Sequence, residues 1–341
     1  MGLSFPICYS NSLKTMPASS TLSDGVPGKR FRSRLLRWFD REQRKLPWRG
    51  ETDPYRILLS EIMLQQTRVA VVEERYKQFL QQFPSIDLLA KASEESVLAA
   101  WSGLGYYRRA RSLHAAARAI AQTNSFPSSS AKLADLPGVG RYTAAAVASI
   151  AFGEPVAVVD GNVQRVLQRI AGKQLSVETC WQTAQQLLDS RRPGDFNQAM
   201  MELGAVVCLP ATPVCKRCPI VSFCKQRGAA PKIAQTPRNK ASLHYLFVQK
   251  KNSVLLQQRA RESSLMPGMW ELPQIQGAPE AKKKCLLQLR HSITSTDYRV
   301  FVFPGNSKIK NSGKWIPLSS VEELPLTGLT RKILRALNLL A

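Results

Sequence analysis

Two acidic residues, two glycines and four cysteines stand where their neighbours give them chemical meaning. Glu61 lies in Leu59-Ser60-Glu61-Ile62-Met63-Leu64-Gln65-Gln66-Thr67, with Ile57, Leu58 and Leu64 three or four residues away on one helical face. A carboxyl on an apolar face loses its hydration, so its pKa is expected to rise and a proton to stay available. A lone glutamate on a helix is more commonly a solvated one. Asp160, in Val158-Val159-Asp160-Gly161-Asn162-Val163, precedes a second helical run. It can cap that helix through its side chain, which would also hold it rigid. One protonated and one charged carboxyl can divide a reaction between them, the first giving a proton and the second steadying positive charge.

Leu136-Pro137-Gly138-Val139-Gly140-Arg141-Tyr142-Thr143 sits between two short helical patterns. Two glycines a residue apart allow a tight turn with consecutive N–H groups exposed, and the following helix adds its positive end. Gly138, Val139 and Gly140 would then grip phosphate without reading sequence. Alone, the same string is an ordinary turn between helices. Cys208, Cys215, Cys218 and Cys224 follow C-x6-C-x2-C-x5-C. Four-cysteine zinc sites usually pair two C-x2-C knuckles, and only the middle pair qualifies here. One compact loop supplying every ligand suits a [4Fe–4S] cube, in which each iron takes one thiolate. Cys8, Cys180 and Cys285 are scattered and read as plain thiols.

The cysteine spacing and the glycine hairpin together resemble the endonuclease III and MutY glycosylases. That resemblance implies a structural [4Fe–4S] cofactor, with Lys216, Arg217, Lys225 and Arg227 of its loop contacting DNA phosphates. In bifunctional relatives a lysine follows the hairpin arginine and forms a Schiff base. Tyr142 occupies that slot here and cannot form an imine, so water is the implied nucleophile and an abasic site the end of the reaction. The L-x-E-x-M-L-Q-Q-T and V-D-G-N-V strings are similar to the MutY versions. They imply removal of adenine mispaired with 8-oxoguanine or guanine in double-stranded DNA. Glu61 would protonate the departing base, Asp160 would steady the sugar cation, and Tyr142 would assist both beside the sugar. Asn162 would orient Asp160 or the water. Gln66, and Tyr106 in Trp101-Ser102-Gly103-Leu104-Gly105-Tyr106-Tyr107, match the positions where the family wedges the duplex while the target base is extruded. Arg108, Arg109 and Arg111 behind them would hold phosphates.

Leu265-Met266-Pro267-Gly268-Met269-Trp270-Glu271-Leu272-Pro273 resembles part of the Nudix-like C-terminal module of MutY, which senses the base opposite adenine. No glutamate-rich hydrolase box accompanies it, so pyrophosphate hydrolysis is not expected. Arg290-His291-Ser292-Ile293-Thr294-Ser295 falls where the family carries Phe-Ser-His. Thr294 offers a hydroxyl in place of serine, but the histidine donor is gone. Two other readings stand beside this one: a catalytically silent iron–sulfur DNA-binding protein, and a glycosylase for another mispaired base such as thymine opposite guanine. Intact Glu61 and Asp160 argue against the first, and Glu61 with the Nudix-like tail against the second.

These side chains need a helical frame, and the periodicity supplies one. Residues 30–45 are amphipathic, and Asp53-Pro54 opens a helix expected to run to about Phe83. Further helices are expected at about 94–101, 107–122, 140–152, 161–171, 176–190 and 195–206. Residues 225–241, rich in Lys, Arg, Ala, Gln and Pro, read as an exposed linker. Beyond them the period changes: 244–250 and 253–259 form a hairpin signal around Lys251-Asn252, and 298–303 and 314–317 are strand candidates. Helices are expected near 280–290 and 327–340. The pattern gives an all-α domain before a smaller α+β domain, and with the resemblance the expected fold is a helix-hairpin-helix domain at 29–226 with its iron–sulfur loop at 208–224, a linker at 227–242, and a Nudix-like domain at 243–341.

Length and charge agree with this reading. A chain of 341 residues with 44% hydrophobic content favours two domains with real cores. Forty-eight Lys and Arg against 24 Asp and Glu give a formal charge of +24, a field that attracts polyanions such as DNA. The longest mainly apolar run, residues 143–153, is far short of a membrane span. Residues 1–28 lack a basic start and an apolar core, so they read as a disordered leader and not a secretory signal. An intracellular monomer is expected, in the cytoplasm or nucleoid if bacterial. In that reducing compartment seven cysteines serve as ligands or thiols.

Overall fold

The structure, a computed structural model, describes residues 28–228, 238–263, 266–277, 285–293, 296–305 and 313–340. Eleven helices among the described residues build the first domain. They are α1 (Gly28–Glu42), α2 (Pro54–Leu64), α3 (Val69–Gln82), α4 (Ile86–Lys91), α5 (Glu94–Ala100), α6 (Arg108–Thr123), α7 (Ser130–Ala134), α8 (Arg141–Ala151), α9 (Gly161–Ala171), α10 (Val177–Leu187) and α11 (Pro193–Val206). Side-chain caps start many of them: Asp53, Ser85, Ser93, Ser129, Asp160 and Ser176 each accept an N–H from the first turn they precede.

These helices form two lobes with separate cores. Apolar faces of α2 to α8 enclose one, around Leu58, Phe79, Trp101 and Leu113. Phe31 and Phe39 of α1 join Leu167, Phe196 and Leu203 of α9 to α11 in the other. The chain thus returns its first helix to the lobe formed by its last three, and a cleft opens between the lobes.

The expected single helix from Pro54 to Phe83 is two. Gln65 leaves the helical conformation at ψ 112° and Gln66 takes a left-handed φ of 56°, so α3 starts afresh at Val69. Helices α4 and α7 were not read from the sequence, because six and five residues are too few to show a period; their capping serines were the only signal.

The second domain holds β1 (Asn239–Phe247), β2 (Gln249–Lys250), β3 (Ser253–Gln258), β4 (Trp270–Glu271), β5 (Gln274–Ile275), β6 (Leu287–Ile293), β7 (Thr296–Pro304), β8 (Lys314–Pro317) and α12 (Gly328–Ala336). One sheet runs in the order β5-β1-β7-β6, with β1 parallel to β7 over nine residues and the outer pairs antiparallel. The other runs β2-β3-β4, with β8 also against β3. Lys251, at φ 50°, turns the expected hairpin between β2 and β3. The helix expected near 280–290 is corrected to strand β6, whose burial alternates residue by residue; residues 278–284 lie outside the described residues. Strand β1 begins at Asn239, inside the stretch read as linker.

The two domains share packing. Met269, just before β4, is wholly buried in the first core of the helical domain. Burying such a side chain contributes about 2 kcal/mol to holding the domains together. Close by, the Tyr107 hydroxyl donates to the carbonyl of Leu326 at 3.1 Å and Arg111 donates to that of Pro267 at 2.5 Å. No helix among the described residues is long and apolar enough to cross a membrane.

Candidate active site

The cleft between the lobes has a volume of about 840 Å³, and its lining includes Glu61, Gln66, Gly138, Tyr142, Asp160 and Asn162. Helix α2 is apolar on nearly every face, so it is buried almost whole and takes Glu61 with it, leaving that residue 6% exposed. Burial is the largest influence on the Glu61 carboxyl and pushes its pKa up to about 7. The negative charge of Asp160 across the cleft adds to the rise, while a hydrogen bond from Tyr142 and the Arg49 guanidinium oppose it. The Tyr142 hydroxyl donates to Oε2 of Glu61 at 2.7 Å. Burial and the two carboxylates hold the Tyr142 phenol far above its usual range, so it stays neutral and a donor. With Oε2 occupied as an acceptor, Oε1 is the oxygen left to carry the proton.

Asp160 enters from the other lobe, at the start of α9. Its Oδ1 accepts from the backbone N–H of Val163 at 2.7 Å and its Oδ2 from Nδ2 of Asn162 at 2.8 Å. The capping side chain thus also lines the cleft, so the cap leaves Asp160 in reach of a ligand there. The extended segment leading to it is fastened by Asn197, which is 2% exposed. Its Oδ1 accepts from the Val158 N–H at 3.1 Å and its Nδ2 donates to the Val156 carbonyl at 2.9 Å. Asn162 is fixed in turn by Arg165, which donates to its Oδ1 at 2.8 Å, to Gly204 O at 2.8 Å and to Cys208 O at 2.9 Å. A continuous run of polar contacts thus joins Asp160 to the cysteine loop.

The hairpin forms as expected between α7 and α8. Gly138 has φ 73°, and a Cβ there would meet Ser112 Cβ at 2.3 Å, so no other residue fits against α6. Val139 is buried, leaving only its backbone for a ligand, while Gly138 and Gly140 are exposed. No side chain caps α8, so its first N–H groups remain open to an anion.

The cysteine loop wraps the end of α9. Arg169 donates to Cys208 Sγ at 3.2 Å and to the carbonyls of Leu209 and Pro210, and the N–H groups of Lys225 and Gln226 return to Ile170 and Arg169. Among the described residues no group of three or more His, Cys, Asp or Glu is close enough for one metal ion. The four thiols do influence one another: burial first, and then Cys208, Cys224 and Cys215, together push Cys218 up to about 11. A cube spreads its thiolates over four irons, a wider set than the ligands of one ion. Four thiols supplied by one loop fit the donor set of such a cube. Lys216, Arg217, Lys225 and Arg227 are exposed around it.

Gln66 lines the cleft and is exposed, and Tyr106 and Arg108, on the loop and first turn leading into α6, are exposed too. Arg109 and Arg111, expected to hold phosphates, are engaged within the protein. Arg109 turns inward onto backbone carbonyls, and Arg111 bonds Glu94 and Pro267. The sequence reading also missed the wall behind Glu61. There Glu202, 2% exposed, accepts from Arg44 at 2.7 and 3.0 Å and from Arg49 at 3.0 Å. A glutamate within the apolar run of α11 was its one signal. Thr294 and Ser295, where a serine and histidine were compared, lie outside the described residues, as does Leu265.

Residues 59–189 match the family model described as HhH-GPD superfamily base excision DNA repair protein. The adenine DNA glycosylase of Homo sapiens is 47% identical over 214 residues, 58% of this chain and 39% of that protein. The adenine DNA glycosylase of Buchnera aphidicola subsp. Baizongia pistaciae is 37% identical over 245 residues, 67% of this chain and 69% of that protein. The chain belongs to the adenine DNA glycosylase family. Within that family it spans well under half the length of the human relative. The family's helical fold extends to a solved structure of a thermostable thymine-DNA glycosylase, 32% identical with a TM-score of 0.55, covering 58% of this chain and 95% of that one.

Proposed function

We propose that the protein is a monofunctional DNA glycosylase that hydrolyses the N-glycosidic bond of adenine mispaired with 8-oxoguanine or guanine. Adenine leaves poorly as an anion, so a ring nitrogen must gain a proton as the bond to the sugar breaks. A carboxyl with a pKa of about 7 holds that proton near neutrality and gives it up readily. Loss of the base leaves positive charge on the sugar, and Asp160, held by two N–H donors, faces it. Water then completes the hydrolysis. No lysine lines the cleft among the described residues, and Tyr142 has no amine, so the reading includes no Schiff base. The observation that carries it is the 2.7 Å bond from Tyr142 to a buried Glu61 facing Asp160 across one cleft.

Duplex DNA reaches the cleft by backbone grip at Gly138, Val139 and Gly140, while Gln66 and Tyr106 fill the gap left by the extruded base. A [4Fe–4S] cluster bound by Cys208, Cys215, Cys218 and Cys224 would hold the basic loop in shape. The α+β domain, read as Nudix-like, would inspect the opposite base from its seat on Met269.

Single-turnover assays on duplexes that differ only in the base opposite adenine test this reading. Adenine should be released opposite 8-oxoguanine and guanine and retained opposite thymine, and borohydride should trap no protein–DNA adduct. A thymine:guanine duplex belongs in the same series, given the 32% identity to a thymine-DNA glycosylase. Release of thymine instead of adenine, or a strong borohydride adduct, would overturn the assignment.

A further inference from the structure

Gln66 and Tyr106 share an unusual backbone state. Both are exposed, Tyr106 by 50%, and both have left-handed φ values, 56° and 47°. Each such conformation costs a non-glycine residue about 1–2 kcal/mol unless its surroundings enforce it. They belong to separate loops, one between α2 and α3 and the other between α5 and α6.

One guanidinium joins the two loops. Arg109 Nη1 donates to the carbonyls of Ile62 at 2.8 Å and Met63 at 2.9 Å, which end the helix that carries Glu61. Its Nη2 donates to Thr67 Oγ1 at 3.0 Å, to Leu104 O at 3.0 Å and to Gly105 O at 3.2 Å. The guanidinium carbon lies 5.4 Å from the Trp101 ring centre and 5.7 Å from that of Tyr106. No carboxylate is bonded to it among the described residues; carbonyl dipoles, including the negative end of α2, balance its charge. Its Nε alone has no partner.

We infer that Arg109 is the positioning residue of the duplex wedge, holding Gln66 and Tyr106 in strained, outward conformations at a fixed offset from Glu61. The inference rests on the glycosylase reading above. A planar fork is required because the acceptors lie on both loops and on the helix end at once. A lysine presents a point charge and cannot span them. Holding strained residues rigid before DNA arrives means that extrusion need not also order the loops.

Three variants test it: Arg109→Lys, Arg109→Gln and Thr67→Val, the last removing one acceptor from the set while leaving the arginine in place. The readouts are thermal midpoint, affinity for undamaged duplex, fluorescence of 2-aminopurine placed at the target position, and excision from two substrates. One substrate is a stacked adenine mispair; in the other the adenine faces an abasic analogue and is already loosely stacked. For Arg109→Lys the 2-aminopurine response should largely vanish and excision of stacked adenine should fall on the order of 100-fold. Excision of the loosely stacked adenine should fall only about fivefold, because unstacking is less demanding there. Duplex affinity, set by the hairpin and the charged surface, should stay within about threefold. Thr67→Val should show the same pattern at about fivefold for stacked adenine, and it carries the test if the Arg109 variants fail to fold. Equal losses on both substrates, or an unchanged 2-aminopurine response in folded variants, would overturn the inference. If the unaltered protein excises neither substrate yet extrudes 2-aminopurine in an Arg109-dependent way, the positioning role stands and the glycosylase reading falls.

Discussion

Glu61→Gln is expected to lower single-turnover adenine release by about a thousandfold while leaving duplex affinity close to that of the unaltered protein. Glutamine matches the carboxyl in shape and keeps an acceptor for the Tyr142 hydroxyl, 2.7 Å away, but it has no proton to give. General acid catalysis commonly supplies about 10²–10⁴-fold, which sets the size of the loss. The same substitution should stabilise the fold in neutral and alkaline solution. With a folded pKa of about 7 against an ordinary 4.5, Glu61 binds a proton in the folded state across that window and has lost it in the unfolded state. Stability therefore falls as pH rises through the window, and above it the cost is about 3 kcal/mol. Glutamine escapes this cost. Calorimetry should find the variant little changed near the lower end of the window and clearly more stable above the upper end. Equal stability of the two proteins in alkaline solution would mean that burial does not shift this carboxyl.

The second large effect is expected at Asp160. Asparagine is as good a helix cap as aspartate, so Asp160→Asn should keep the bond from the Val163 N–H and leave the thermal midpoint nearly unchanged. What it removes is negative charge beside the sugar. Losing one fixed electrostatic partner of a developing charge costs about 10²–10³-fold, or about 3–4 kcal/mol in the barrier. Single-turnover rates should fall by that factor with binding preserved. Asp160→Ala should in addition lose about 1 kcal/mol of stability with the cap. If Asp160→Asn retained full activity, the residue would be a cap and no more.

Glu61, Asp160 and Tyr142 were readable from the chain because their setting is local. An apolar helix around a glutamate, an N-cap before Gly161 and a glycine hairpin before Tyr142 are patterns a few residues long. What escaped reading depends on distant partners. The run from Pro54 onward looks like one helix, yet its carbonyls at Ile62 and Met63 are taken by Arg109, 47 and 46 residues further along the chain. Arg109 itself reads as one more basic residue beside Arg108, since nothing nearby marks it as buried. Glu202 meets Arg44 and Arg49 across separations of 158 and 153 residues, beyond any periodicity. Strand β6 was open to reading, because Leu287 and Leu289 alternate with polar residues, but the run ahead of it suggested a helix.

The most direct test of the proton transfer is the pH dependence of single-turnover adenine release from an adenine:8-oxoguanine duplex. The rate should hold level in mild acid and fall about tenfold per pH unit above pH 7, as the Glu61 carboxyl loses its proton. A rate that stays level or rises through that range would contradict the assignment of Glu61 as the acid.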